Sequence, residues 1–275
     1  MTESEQAPPG VDPTVPTPAR LYNYYLGGTS YFPIDREVAE ELRRRLPELS
    51  DAAWANRGFH HRAARWMAGE HGVRQFLDLG SGLPTRGTTH EAVRQLAPDA
   101  RLVYVDNDPM VLDYARTTLN GTERTAVIAG DMREPEQLFA EPAFTELIDL
   151  TQPLGLLLTG VLQFVDDKTD PWQLMARYRA AMVPGSYVAI SHCTADRLPP
   201  AAVQAIHDTY ARTPFPMYLR SRAEVERLFE GFALVAPFAG AKPGLTFAGS
   251  WGAEDERAAD SDGSRILYCG VARRT

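Results

Sequence analysis

The chain has 275 residues, room for one α/β domain with appendages or for two small domains, and a hydrophobic fraction of 44% that can fill a core. Its formal net charge of −8 argues against a duplex nucleic-acid binder, which needs a basic face to neutralise phosphates. No apolar run approaches the ~18 residues of a membrane span, and two cysteines, Cys193 and Cys269, suit buried free thiols in a reducing cytoplasm better than a disulfide.

Residues 1–18 carry five prolines with Glu3, Glu5 and Asp12, and lack the basic start and apolar centre of a signal peptide, so a disordered tail is expected. From Arg20 the text becomes aromatic: Tyr22, Tyr24, Tyr25 and Tyr31 surround Gly27 and Gly28. Either these rings cover an apolar surface beside a sheet, or the glycine turn folds them over a crevice as a lid. A helix is expected behind Asp35 as N-cap, and a second over residues 50–70, with Gly72 behind it as a C-terminal stop. Residues 19–72 thus read as a helical segment ahead of a domain at 73–275.

That domain has a different rhythm. QFLDL (75–79), RLVYVD (101–106), TAVIAG (125–130), LGLLLTG (154–160) and SYVAISH (186–192) are short apolar runs without strict alternation, as strands covered on both faces would be. Helices start between them at Thr88, with Glu91 completing a capping box, at Asp108-Pro109 and at Asp170-Pro171. Strand alternating with helix predicts a parallel, doubly wound sheet. Near the end, another capping box at Ser221 leads to FALVAP (232–237) and then RILYCGVARR (265–274), two strands with no helix between them and so an antiparallel pair at the sheet edge.

The loop after the first strand reads FLDLGSGLPTRG. Gly80 and Gly82, with Ser81 between them, fit the first two positions of a dinucleotide loop, but Thr85 holds the third, and Asp78 precedes the glycines. A carboxylate there repels a diphosphate and suits a phosphate-free cation carrying an amino group. S-adenosyl-L-methionine is such a cofactor. Asp106, followed by Asn107, closes the second strand where an acid can accept the ribose hydroxyls; Asp131 follows the third strand where it can accept an adenine amino group, with Met132 against the ring. Arg57 or Arg86 can hold the cofactor's carboxylate bidentately, and Thr159 ends the fourth strand at the same crevice. No metal-ligand spacing is present.

The blocks ARLYNYYLGG, NRGFHHRAARW, QFLDLGSGLPT, RLVYVDNDPMVL, DMREPE and PGSYVAISH resemble an actinobacterial family of S-adenosylmethionine-dependent methyltransferases long catalogued as a domain of unknown function. The resemblance runs from Ala19 to the C-terminus. It implies the α/β class I methyltransferase fold, Rossmann-like and doubly wound, with seven strands and an antiparallel last one, preceded here by the helical extension. It implies no acceptor. At Gln163 the family leads one to expect histidine, so a base at that position is in doubt.

Methyl transfer from a sulfonium is an in-line displacement that demands alignment and exclusion of water. The fourth strand lacks the (Asp/Asn)-Pro-Pro-aromatic motif of base-methylating enzymes, which favours a small-molecule acceptor. His192, ending the fifth strand, is the candidate acid/base, against a local hydrogen-bonding role. His90 reads as capping or solvated, and His60 and His61, among Arg57, Arg62 and Arg65, as a solvated or salt-bridged helix face. Two alternatives are a non-catalytic S-adenosylmethionine-binding regulator and an NAD-dependent oxidoreductase.

Overall fold

The computed structural model describes residues 7–84, 87–119, 121–255 and 259–275. In chain order, α1 (Pro18–Tyr25), α2 (Pro33–Arg45) and α3 (Leu49–Gly69) precede β1 (Gln75–Leu79), α4 (Thr89–Arg94), β2 (Arg101–Asp106), α5 (Pro109–Thr118) and β3 (Thr125–Ala129). Then come α6 (Pro135–Ala140), α7 (Pro142–Thr145), β4 (Gly155–Thr159), a 3-10 turn at Leu162–Phe164, α8 (Pro171–Ala181), β5 (Tyr187–Cys193) and α9 (Pro200–Tyr210). The chain ends with α10 (Arg222–Arg227), β6 (Ala233–Leu234), β7 (Thr246–Phe247) and β8 (Leu267–Arg273).

The strands form one sheet in the order β3-β2-β1-β4-β5-β8-β6, with β7 also paired to β8. The pairs among β1 to β5 are parallel, and every pair that β8 makes is antiparallel. Beyond the seven strands expected, the two-residue β7 is an eighth. The terminal strands are not a simple edge hairpin either, because β8 lies inside the sheet between β5 and β6. The chain leaves β1 in one direction for β2 and β3 and returns on its other side as β4, so the crevice between loops opens at the carboxyl ends of β1 and β4.

Both faces of the sheet are covered, which explains the unbroken apolar runs. All five residues of β1 are buried. Period-2 alternation divides them: Phe76 joins the cluster with Phe59 and Met67 of α3, while Leu77 and Leu79 join Leu174 and Tyr178 of α8 on the opposite face. Asp78 shares the parity of Phe76 and so faces α3. Gly155 of β4 permits the close approach on that face, since a Cβ there would sit 2.5 Å from the Phe76 ring.

The N-terminal helices belong to the same core. Leu21, Val38 and Phe59 pack in one cluster with Phe76 and Leu157 of the sheet. Where a tail over 1–18 was expected to be disordered, residues 7–17 lie against the protein: Val11 packs on Leu83, Met110 and Val111, and Pro16 is buried. Asp35 is not an N-cap. Pro33 opens α2 after Phe32, and Asp35, two residues on, accepts the Phe32 N–H at 2.8 Å while pairing with Arg20 at 2.8 Å. The other expected starts stand, with Asp108 accepting from Met110 N and Ser221 completing its capping box with Glu224. Both cysteines are free thiols, and no described helix is long and apolar enough to cross a membrane.

Candidate functional site

The main cavity lies over the carboxyl ends of the parallel strands and gathers Asp78, Gly80, Ser81, Gly82, Asp106, Asn107, Asp131, Met132 and Thr159, with Arg57, Tyr22 and Tyr25 from the N-terminal helices. The glycine loop is shaped by backbone demands. Gly80 has φ +62° and a Cβ there would lie 2.2 Å from Val161 Cγ2, so any side chain is barred twice over. Gly82, at φ +67°, donates its N–H to Asp106 Oδ2 at 2.9 Å. Thr85 and Arg86 lie outside the described residues.

Asp106 is fixed by its neighbours. Oδ1 accepts from Asn107 N at 2.9 Å and Asp108 N at 3.0 Å, and Oδ2 from Gly82 N. Of roughly four acceptor positions on a carboxylate, three are taken, leaving one on Oδ2 for a ligand hydroxyl. Burial pushes its pKa up to about 6, although the three N–H groups pull the other way. Asp131 is more heavily engaged. Arg133 donates from its backbone N–H and guanidinium to both carboxylate oxygens, and these bonds outweigh burial and hold the Asp131 carboxyl below its ordinary range.

Asp78 is joined to α3 by a chain of hydrogen bonds. Thr89 Oγ1 donates to Asp78 Oδ2 at 2.6 Å, His60 Nε2 lies 2.7 Å from Thr89 Oγ1, and His60 Nδ1 lies 2.8 Å from Thr159 Oγ1. Burial keeps His60 neutral, with a pKa near 3, and raises that of Asp78 to about 6. With Asp78 ionised, the protons can be placed. The one proton of Thr89 goes to Asp78, so Thr89 accepts from Nε2–H. The bare Nδ1 then accepts the proton of Thr159. Thr159 is left showing oxygen lone pairs to the cavity. The solvated face expected for His60 is therefore incorrect: the ring is 4% exposed and belongs to the buried stripe of α3 with Ala53, Asn56, Ala63 and Met67.

His192 is not the acid/base. Its Nδ1–H donates to Cys193 O at 2.8 Å, and its Nε2 accepts from Arg220 Nη1 at 2.9 Å. It is wholly buried, its pKa is driven down to about 3 by burial, and it points to the face opposite the cavity with Val188 and Ile190. On the cavity side, burial raises the Cys193 thiol to about 12, so it is no nucleophile. Tyr24 and Tyr31 also lie outside the cavity wall. Their rings meet edge to face at 5.0 Å, and Tyr24 is hydrogen-bonded to Glu40. His90 is half-buried and bonded to the Tyr104 hydroxyl at 3.0 Å.

Among the described residues Arg57 has no carboxylate partner. Its guanidinium stands 5.7 Å from the centroid of the Tyr22 ring, and its buried Nε has no hydrogen-bond partner among them either. Gln163, where histidine was expected, also lines the cavity, 5% exposed, and its Oε1 has no partner among the described residues.

The chain matches the family described as "S-adenosyl methyltransferase" over residues 4–275. A protein from Thermobifida fusca YX, assigned to the methyltransferases, has a crystal structure that superposes with a TM-score of 0.89 at 36% identity, covering 98% of this chain and 99% of that one. A DUF574 family protein from Streptomyces avermitilis MA-4680 gives 0.87 at 36% identity over 95% and 98%. A Mycobacterium marinum protein assigned as an S-adenosyl-L-methionine-dependent methyltransferase is 29% identical over 138 residues, half of this chain but only 42% of that relative's length. The chain is a member of the S-adenosyl methyltransferase family, an S-adenosylmethionine-dependent methyltransferase of class I fold.

Proposed function

We propose that the protein transfers a methyl group to a small-molecule acceptor, with S-adenosylmethionine lying along the ends of β1, β2 and β3. The observation that carries this assignment is the charge of the wall. Among the described residues, four carboxylates line the cavity, those of Asp78, Asp106, Asp108 and Asp131, against two guanidinium groups, of which Arg133 is already neutralised by Asp131. Such a wall disfavours a dinucleotide's diphosphate and favours a cation.

The residues fit the cofactor in parts. The chain from Asp78 to Thr159 delivers a carboxylate's polarity as an oriented hydroxyl oxygen, suited to accept from an ammonium group. Arg57, with an unpartnered Nε, suits a carboxylate. Gly80, Ser81 and Gly82 let the nucleoside approach backbone, and Asp106 keeps one acceptor position for the ribose. Asp131, saturated by Arg133, must give up part of that pairing to reach an adenine amino group, which leaves Met132 the freer adenine neighbour.

When bound, S-adenosylmethionine supplies a methyl group activated by its sulfonium. The protein's part is to orient and to exclude water, because among the described residues no histidine or carboxylate of the cavity is placed as a strong base toward β5. Melting curves test the assignment. S-adenosylhomocysteine should raise Tm and NAD(H) should not; the reverse order would end it. Labelled methyl transfer into a metabolite extract tests turnover.

A further inference from the structure

The cavity has a second half. Beyond β4 its wall turns apolar and aromatic, with Tyr25, Phe164, Ile206, Tyr210, Phe215 and Met217 contributed by α1, the 3-10 turn, α9 and the loop after it. Among the described residues, the charged residues of the lining lie on β1 and β2, on the loops after β2 and β3, or on α3 at Arg57. Two polar atoms in this half have no partner among the described residues: Gln163 Oε1 and the hydroxyl of Tyr25, on residues 5% and 4% exposed. A buried polar group without a partner is costly, and Asn56, Tyr22 and Ser191 beside them are already bonded to one another or to Ala53 O.

We propose that this half binds the methyl acceptor, an uncharged molecule with a flat, ring-bearing apolar body and at least one hydrogen-bond donor, which bonds to Gln163 Oε1. The inference rests on the methyltransferase assignment above. An aromatic body matches the walls: the Phe164 and Tyr210 rings stand 5.7 Å apart and tilted, an arrangement that accepts a third ring by edge or offset contact. A carboxylate or ammonium carried into this half would lose its water and, among the described residues there, meet no opposite charge to offset that cost. Gln163 gives the same meaning: its amide oxygen accepts a hydrogen bond but is no base at neutral pH, so it recognises the acceptor without activating it.

Three probes of one shape decide the matter: 2-naphthol, 2-naphthoate and 2-naphthylmethylammonium, titrated calorimetrically into the full-length protein saturated with S-adenosylhomocysteine. 2-Naphthol should bind roughly tenfold or more tighter than either charged probe, and Gln163→Met should weaken it by about tenfold. Equal affinity for the three, binding of none, or an unchanged affinity in the variant overturns the inference. Preference for 2-naphthoate also overturns it and assigns Arg57 to the acceptor. Binding of S-adenosylhomocysteine is measured first and separately. Its failure sinks the cofactor site itself, whereas its success without discrimination among the probes sinks only the acceptor class. The wild-type comparison stands even if the variant does not fold.

Discussion

His60 and Asp78 are joined through a single hydroxyl, that of Thr89, which lies 2.7 Å from the ring nitrogen and 2.6 Å from the carboxylate. Because Thr89 has one proton to give, this geometry sets the tautomer of a histidine on another element. Nitrogen-15 spectra of histidine-labelled protein should show His60 neutral and protonated at Nε2 between pH 6.5 and 8, its pKa having been driven to about 3 by burial. A His60→Ala variant frees Thr159 to rotate and should weaken S-adenosylhomocysteine by about 1 kcal/mol, the worth of one oriented hydrogen bond. A ring protonated at Nδ1 would reverse the chain and remove the reason for placing an ammonium at Thr159.

If the cofactor binds as proposed, the two raised carboxylates give its affinity a pH dependence with a fixed sign. Asp78 and Asp106 both have a folded pKa of about 6, raised by burial. Taken alone, such groups stabilise the fold below their unfolded pKa of about 3.9, and that contribution is lost as pH rises through 6. A bound cation acts in the opposite sense, since it favours the ionised forms. Affinity for S-adenosylmethionine should therefore rise between pH 5 and 7, by about tenfold for each carboxylate that meets the cation. Calorimetry at pH 5.5 in two buffers of different ionisation enthalpy should detect proton release. Flat affinity across this range would mean that neither acid faces a positive charge.

Asp106 caps the loop and, in the proposed site, also accepts a ribose hydroxyl; substitution separates the two. Asp106→Ala removes the remaining acceptor position on Oδ2 and three backbone caps, whereas Asp106→Asn keeps a side-chain oxygen for part of the loop. The alanine variant should lose about 1–3 kcal/mol of S-adenosylhomocysteine affinity. The asparagine variant should retain more of its Tm while losing most of the same affinity. If both variants bind like wild type and remain folded, the nucleoside lies elsewhere.

The strand ends were legible because each acid or glycine closes an apolar run, and a doubly wound sheet carries such ends to one place. Parity was the harder part. Along β5, Ala189 packs toward α3 while Val188, Ile190 and His192 face α8, so the histidine is one residue out of step with the cavity. His60 was hidden by its neighbours. Arg57, Arg62 and Arg65 suggested a wet face, yet Ala53, Asn56, His60, Ala63 and Met67 recur every three or four residues and mark the buried stripe. Arg62 itself turns inward to carbonyls, reaching Trp251 O at 2.6 Å and Ala248 O at 2.8 Å. Asp131 could be placed but its partner could not, because a pair two residues apart depends on a turn that pattern does not reveal.

Gly80 sets a stability test independent of ligand. A left-handed conformation costs a residue with a side chain about 1–2 kcal/mol, and overpacking against Val161 adds about 1–3 kcal/mol. Gly80→Ala should lose about 2–5 kcal/mol in urea melts, a sum of those two terms. The double variant Gly80→Ala, Val161→Ala should recover the steric part and leave the conformational part. No recovery would place the strain in the backbone alone.

The pair formed by Arg20 and Asp35 ties the acceptor wall to the rest of the molecule. Arg20 is 1% exposed and Asp35 is fully buried. The guanidinium also donates to Val15 O and lies 5.0 Å from the centroid of the Phe32 ring, so one cation binds the segment before α1 to the start of α2. Asp35→Ala leaves that cation buried without its counter-charge and should cost about 3–5 kcal/mol, whereas replacing both partners, Arg20→Met with Asp35→Leu, should cost far less. Because α1 carries Tyr22 and Tyr25 into the cavity while Asp106 and the glycine loop lie on strand ends, the single variant, measured below its melting temperature, should lose 2-naphthol affinity before it loses S-adenosylhomocysteine affinity. Parallel loss of both would show that α1 shapes the cofactor half as much as the acceptor half.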